Sequence, residues 1–153
     1  MNKNLKIKEA LHASCVGFVE DRLETIQKTI QDIQMSLTSE TKSSAGDKHE
    51  TGRAMLQLER EKAGNQLSEI QKVKEVLSKV DIHKSLKKVG LGSVVYTSES
   101  NYFISISAGK VSVKDEQFYA ISVSTPIAKL LLSKQEGDVI QFRNGTFTIT
   151  KIV

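Results

Sequence analysis

Glu40-Thr41-Lys42-Ser43-Ser44-Ala45-Gly46-Asp47-Lys48-His49-Glu50-Thr51 is the stretch that decides the fold. It is small, polar and nearly free of apolar side chains. A long helical pattern runs up to it and a second one runs away from it. It therefore reads as the bend of a helical hairpin. Three acids, Glu40, Asp47 and Glu50, fall in the bend. A long stalk ending in carboxylates implies a probe that carries charge into another molecule's site.

Upstream, Val16, Val19, Leu23, Ile26, Ile30, Ile33 and Leu37 follow one another at alternating spacings of three and four. That spacing makes a single narrow stripe along a helix, the seam of a coiled coil. A helix from about Leu5 to Leu37 would be roughly 50 Å long. Downstream, Leu56, Ala63, Ile70 and Leu77 keep a seven-residue period, with Leu67, Val73 and Val80 between them. Gly64 weakens the middle of this second pattern, and Arg60, Glu61, Lys62, Glu69, Lys72, Lys74 and Glu75 read as its solvated face. Two narrow stripes bury enough surface only when zipped together. A bend of about a dozen residues lets them fold back antiparallel in one chain. Such a hairpin is expected to be monomeric; the competing arrangement is a structural coiled-coil dimer with the helices parallel.

Composition divides the chain in two. Four of the five Phe and all three Tyr lie beyond residue 95, and Pro126 is the single proline. The change falls near Val89-Gly90-Leu91-Gly92, giving a hairpin domain over 1–88 with its acidic tip near 40–51, and a second domain over 91–153. Formal net charge is +4, with 16 basic against 13 acidic residues in 1–90 and 6 against 5 beyond. This mild excess leans toward an acidic partner. No run of eighteen apolar residues is present, so no membrane partner is expected. A charged N-terminus without an apolar core leads us to expect no signal peptide. Cys15 is the single cysteine, which excludes a disulfide within these residues and fits a reducing, cytoplasmic setting.

The second half reads as strands. Val94–Tyr96, Tyr102–Ile106, Lys110–Val113, Phe118–Val123, Ile140–Phe142 and Thr146–Thr150 are short β-branched or aromatic runs. Asn144-Gly145 is the preferred pair for a tight type I′ turn between the last two. One helix begins at Ser124-Thr125-Pro126, where a hydroxyl can cap and proline is tolerated first. The fold class is thus α+β: a helical hairpin, then a small antiparallel sheet with one helix.

Independent catalysis finds no support. The strand serines Ser105, Ser107, Ser112 and Ser122 have no His or acid at a suggestive offset, and His12, His49 and His83 have no metal-ligand spacing. Cys15 reads as a small seam-side filler, and His83-Lys84-Ser85-Leu86-Lys87-Lys88 as a solvated helix end. His49 lies between the two tip acids, where it is either solvent-exposed or tunes their charge.

Two motifs resemble the Gre transcript-cleavage factors of bacteria. Gly46-Asp47-Lys48-His49-Glu50-Thr51 is similar to that family's Gly-Asp-x-x-Glu-Asn tip. Ile121-Ser122-Val123-Ser124-Thr125-Pro126-Ile127-Ala128-Lys129-Leu130-Leu131, followed by Lys134 and Gly137-Asp138, is similar to its Ile-Ser-x-x-Ser-Pro-Ile-Ala-x-x-Leu, then Lys and Gly-Asp. The resemblance extends over nearly the whole chain. It implies a coiled-coil hairpin and an FKBP-like C-terminal domain that docks on RNA polymerase through Ser124, Thr125, Pro126 and Ile127. It further implies that the hairpin enters the polymerase's secondary channel and meets the RNA transcript transiently. Asp47 and Glu50 would be the catalytic, metal-directed residues there, sharing Mg²⁺ with the polymerase, which hydrolyses the backtracked transcript itself. The chain departs from the pattern at Thr51, where the family has Asn, and at Gly52-Arg53-Ala54, where the family usually has Ala-Glu-Tyr/Phe; the second acid pair is missing and a basic Arg53 sits in its neighbourhood. A non-cleaving occupant of the channel is therefore the alternative. Asp47 and Glu50 are also spaced as a helix capping box.

Overall fold

Two helices account for the first half of the chain: α1, Lys3–Lys42, and α2, Gly46–Ser78. The computed structural model describes residues 3–42 and 46–153, with side chains described for these outside 40–49. The expected hairpin is present, with both helices reaching further into the bend than the polar composition implied. Ser43, Ser44 and Ala45 lie outside the described residues.

Residues fall into two compact units, which do not follow chain order: Val19–Lys74 form one, and Met1–Phe18 with Glu75–Val153 the other.

In the helical unit, burial follows the predicted stripe position by position. Val19 and Ile33 are buried, and Leu23, Ile26, Ile30 and Leu37 half-buried, while the side chains between them up to Ser39 are exposed. On α2, Ala63 and Ile70 are buried and Leu56, Leu67 and Val73 half-buried. Thr29, Asp32 and Ile33 line one shallow groove together with Glu59, Lys62, Ala63 and Gln66, so the two helices face each other within one chain. Most seam residues are half-covered because a two-helix coil shields each stripe from one side only. Arg60 departs from expectation. It is half-buried on the seam side of α2, not on its solvated face, and fills the position between Leu56 and Ala63. A methyl group added to Gly64 would stand 3.1 Å from an Arg60 guanidinium nitrogen. The long side chain covers the space that glycine leaves empty.

The sheet unit contains β1 Val94–Thr97, β2 Asn101–Ser105, β3 Gly109–Val113, β4 Glu116–Ser122, β5 Val139–Phe142 and β6 Gly145–Ile152, with the short helix α3, Pro126–Leu131, before β5. Strand order is β3-β4-β2-β1-β6-β5. Four of the neighbouring pairs are antiparallel, as expected, but β2 and β4 run parallel. The chain crosses to the edge as β3 and folds back as β4 beside β2. Lys114 and Asp115, with φ of 47° and 69°, make that tight return; paired positive φ values match the twist of an antiparallel hairpin. The β5–β6 turn sits one residue earlier than Asn144-Gly145 implied. Arg143 and Asn144 are its central residues, Gly145 pairs with Phe142, and Arg143 has φ 58°. The Arg143 guanidinium lies 4.9 Å from the centre of the Phe142 ring, a contact that favours this register.

Both faces of the central strands are covered. Val94 and Val95 are buried in succession, as are Phe103, Ile104 and Ser105. One face packs Val95, Ile104 and Ile149 with Ala128 and Leu131 of α3. The opposite face meets the first turns of α1: Cys15 contacts Ser105, and the Lys151 ammonium donates to the Asn4 carboxamide oxygen at 3.2 Å.

α2 ends at Ser78, short of His83–Lys88. That lysine run is therefore an irregular exposed segment, not the helix end expected. Gly92, at φ 93°, turns the chain into β1 and donates to the Ile104 carbonyl at 2.7 Å.

Replacing Gly64 by Ala should raise stability by about 0.5–1 kcal/mol through helix propensity. The added methyl meets only the movable end of Arg60. Urea denaturation of G64A, with an unchanged slope and a higher midpoint, is the expected result.

Candidate functional site

The two sequence-marked stretches belong to different compact units: the tip acids to the helical unit, and Ser124–Ile127 to the sheet unit. In the first, α2 starts at Gly46, so Asp47 is its second residue and Glu50 follows one turn on. Asp47 is thus inside the helix and not in the N-cap position that a capping box requires. Positions three apart in a helix share a side, so 47 and 50 lie along one face of the backbone. Acidic residues in a first turn are favoured by the positive end of the helix dipole. The Glu50 side chain is exposed, whereas those of Asp47 and His49 lie outside the described ones. Arg53, half-buried, follows Glu50 by a further turn.

Among the described residues there is no group of three or more His, Cys, Asp or Glu that could hold a metal ion. Exposed carboxylate oxygen is nevertheless the ligand type that Mg²⁺ takes, one or two at a time, while keeping several waters or other partners.

In the second stretch, β4 ends at Ser122 and the next three residues wrap onto its polar groups. The Thr125 hydroxyl donates to the Ser122 carbonyl at 2.8 Å and accepts from the Ala128 amide at 3.3 Å. It is the N-cap of α3, with Pro126 first in the helix, as the sequence implied. The Ser124 amide donates to the Ser122 hydroxyl at 3.1 Å, and the Ser122 amide donates to the Ser107 hydroxyl at 3.1 Å. These bonds fix the turn in place. Ser124 and Pro126 remain exposed, and Val123 and Leu130 are each 38% exposed. Ile127 is half-buried and packs against the core. The result is a rigid small surface with an apolar rim.

Sequence reasoning missed a buried polar pair of contacts between α1 and the sheet unit. Cys15 is fully buried and its Sγ lies 3.6 Å from the Ser105 hydroxyl, so it serves the sheet interface and not the hairpin seam. Burial pushes its thiol pKa up, against a smaller lowering from Ser105. Lys8 is buried too, with its ammonium donating to the Lys84 carbonyl at 3.1 Å. Desolvation pulls its pKa down, opposed by the charge of Asp81. The signal was present: Ile7, Leu11, Cys15 and Val19 recur every four residues, a different stripe from the alternating seam beyond them.

No family model matches the chain, and no curated protein does. Among solved structures, the chain is similar to one described as the structure of the transcription factor Gfh1, at 22% sequence identity over 88% of this chain and 90% of that chain, with a TM-score of 0.34. No helix among the described residues is long and apolar enough to cross a membrane.

Two outcomes are expected. Thr125→Ala should cost about 1 kcal/mol in urea denaturation, and Thr125→Ser most of that less, because serine keeps the capping oxygen. Cys15 should resist alkylation by iodoacetamide in the native protein at pH 8 and react at an ordinary thiol rate in urea. Rapid native labelling would contradict its burial.

Proposed function

We propose that the chain is a Gre-like factor acting on RNA polymerase. Its sheet unit docks on the polymerase around Ser124–Ile127. Its hairpin enters the secondary channel, and Asp47 and Glu50 support Mg²⁺-dependent cleavage of backtracked transcripts. What supports this reading is where the two motifs fall. One opens α2 at the hairpin bend, with two acid positions on one helical face. The other forms a capped, rigid turn that leaves Ser124 and Pro126 exposed.

The chain's own residues would do three things. The paired helices carry the acids on a stiff support; α1 alone, at 40 residues, is about 60 Å long. The first-turn position offsets part of the repulsion between the two like charges. The exposed Glu50 carboxylate keeps its oxygens available to a ligand outside the chain. A magnesium ion shared between Asp47, Glu50 and the polymerase would supply charge neutralisation and an activated water for phosphodiester hydrolysis. The hydrolysis itself belongs to the polymerase, so the chain is a cofactor of an enzyme. On this reading it works as a monomer, and the pairing of its helices within one chain supports that.

A second reading rests on Arg53. A cation one turn beyond Glu50 would compete with a metal for the carboxylate. On this reading the chain occupies the channel without promoting cleavage.

A stalled, backtracked elongation complex separates the two. Added protein and Mg²⁺ should shorten the transcript, and the variant with Asp47→Ala and Glu50→Ala should lower that rate by about 100-fold or more while still binding polymerase. Polymerase binding without shortening, together with competition against an active cleavage factor, would favour the second reading. Failure to bind core polymerase would overturn both.

A further inference from the structure

The irregular segment between α2 and β1 carries Lys84, Lys87 and Lys88, all exposed. Two backbone bonds of 2.9 Å, from the Val89 amide to the Lys134 carbonyl and from the Ser133 amide to the Val89 carbonyl, bring Lys134 beside them. The buried Lys8 ammonium holds the Lys84 carbonyl from below, which fixes the segment's inner side. The acids nearby are turned to backbone donors. Asp81 accepts from the His83 amide at 3.0 Å, Asp138 from the Gln135 amide at 2.8 Å, and Glu136 from the Ile152 amide at 3.0 Å. Lys72 pairs with Glu69 and Lys79 with Glu75, but none of these four surface lysines is in ion-pair contact with a carboxylate among the described residues.

We propose that Lys84, Lys87, Lys88 and Lys134 form a docking surface for the phosphodiester backbone of duplex nucleic acid. The chemistry of the patch selects this partner. Lysine is a compact point charge that suits phosphate, whereas planar recognition of carboxylates favours arginine, and the patch has none. Leu86, its one large apolar side chain, is half-buried against Gly90 and offers no anchor for a protein interface. Between Val80 and Ser93 there is no Phe, Tyr or Trp and the single imidazole of His83 is the one ring, so unpaired bases have no run of aromatics to stack on and a duplex is favoured over a single strand. The surface reads charge and not sequence. It does not depend on the polymerase reading.

The test uses the full chain and a fluorescein-labelled duplex DNA of about 20 base pairs, with no polymerase present. Binding followed by anisotropy between about 50 and 200 mM salt should weaken steeply as salt rises. In the variant with Lys87→Gln, Lys88→Gln and Lys134→Gln, the slope of log affinity against log salt should fall in magnitude by about 0.9 per lysine, close to 2.7 in all. A control with Lys110→Gln and Lys114→Gln, on the β3–β4 hairpin, should keep the original slope, and circular dichroism should show both variants folded. An unchanged slope in the triple variant, or no binding by the original protein at the lowest salt, would overturn the proposal. So would tighter binding of single-stranded RNA or of polyglutamate under the same conditions, which would assign the patch to those partners instead.

Discussion

The central strands cannot exist without cover on both sides. β1 and β2 bury consecutive residues, Val94-Val95 and Phe103-Ile104-Ser105, and a strand with two apolar faces needs a layer on each. The chain supplies α3 on one face, and on the other the first turns of α1, the residues furthest away in sequence. The N-terminal turns of α1 therefore complete the core of a unit whose strands begin at Val94. Removing them would uncover the face of the sheet that carries Ser105.

α1 does this with a change of stripe. Its early buried residues, Ile7, Leu11, Cys15 and Val19, recur at intervals of four and make a face suited to a sheet. From Val19 onward the intervals alternate between three and four and make the narrow seam that pairs with α2. One unbroken helix thus belongs to two cores. The same arrangement accounts for the buried polar atoms near its start. Cys15 and Lys8 find partners in Ser105 and the Lys84 carbonyl because a buried polar group without one would be costly.

Local hydrogen bonding, more than burial, shapes the exposed surfaces. The turn before α3 is held by the hydroxyls of Ser107, Ser122 and Thr125, so Ser124 and Pro126 are presented on a rigid support. The lysine segment is held by two backbone bonds to the chain after α3 and by Lys8. A firm support lowers the conformational entropy that a partner must remove on binding.

Periodicity in the sequence determined the hairpin, its seam residues, the strand-rich second half and the capped start at Thr125-Pro126. Each of these depends on neighbours a few residues apart, where side-chain type and spacing act directly on the backbone. The tertiary structure alone decided that β2 and β4 run parallel, that Arg60 fills a seam position over Gly64, and that Cys15 faces Ser105. It also moved the last hairpin turn back to Arg143-Asn144 and left the lysine run outside any helix. Those outcomes turn on which distant surfaces meet, and contact between residues as far apart as Cys15 and Ser105 leaves no local pattern to read.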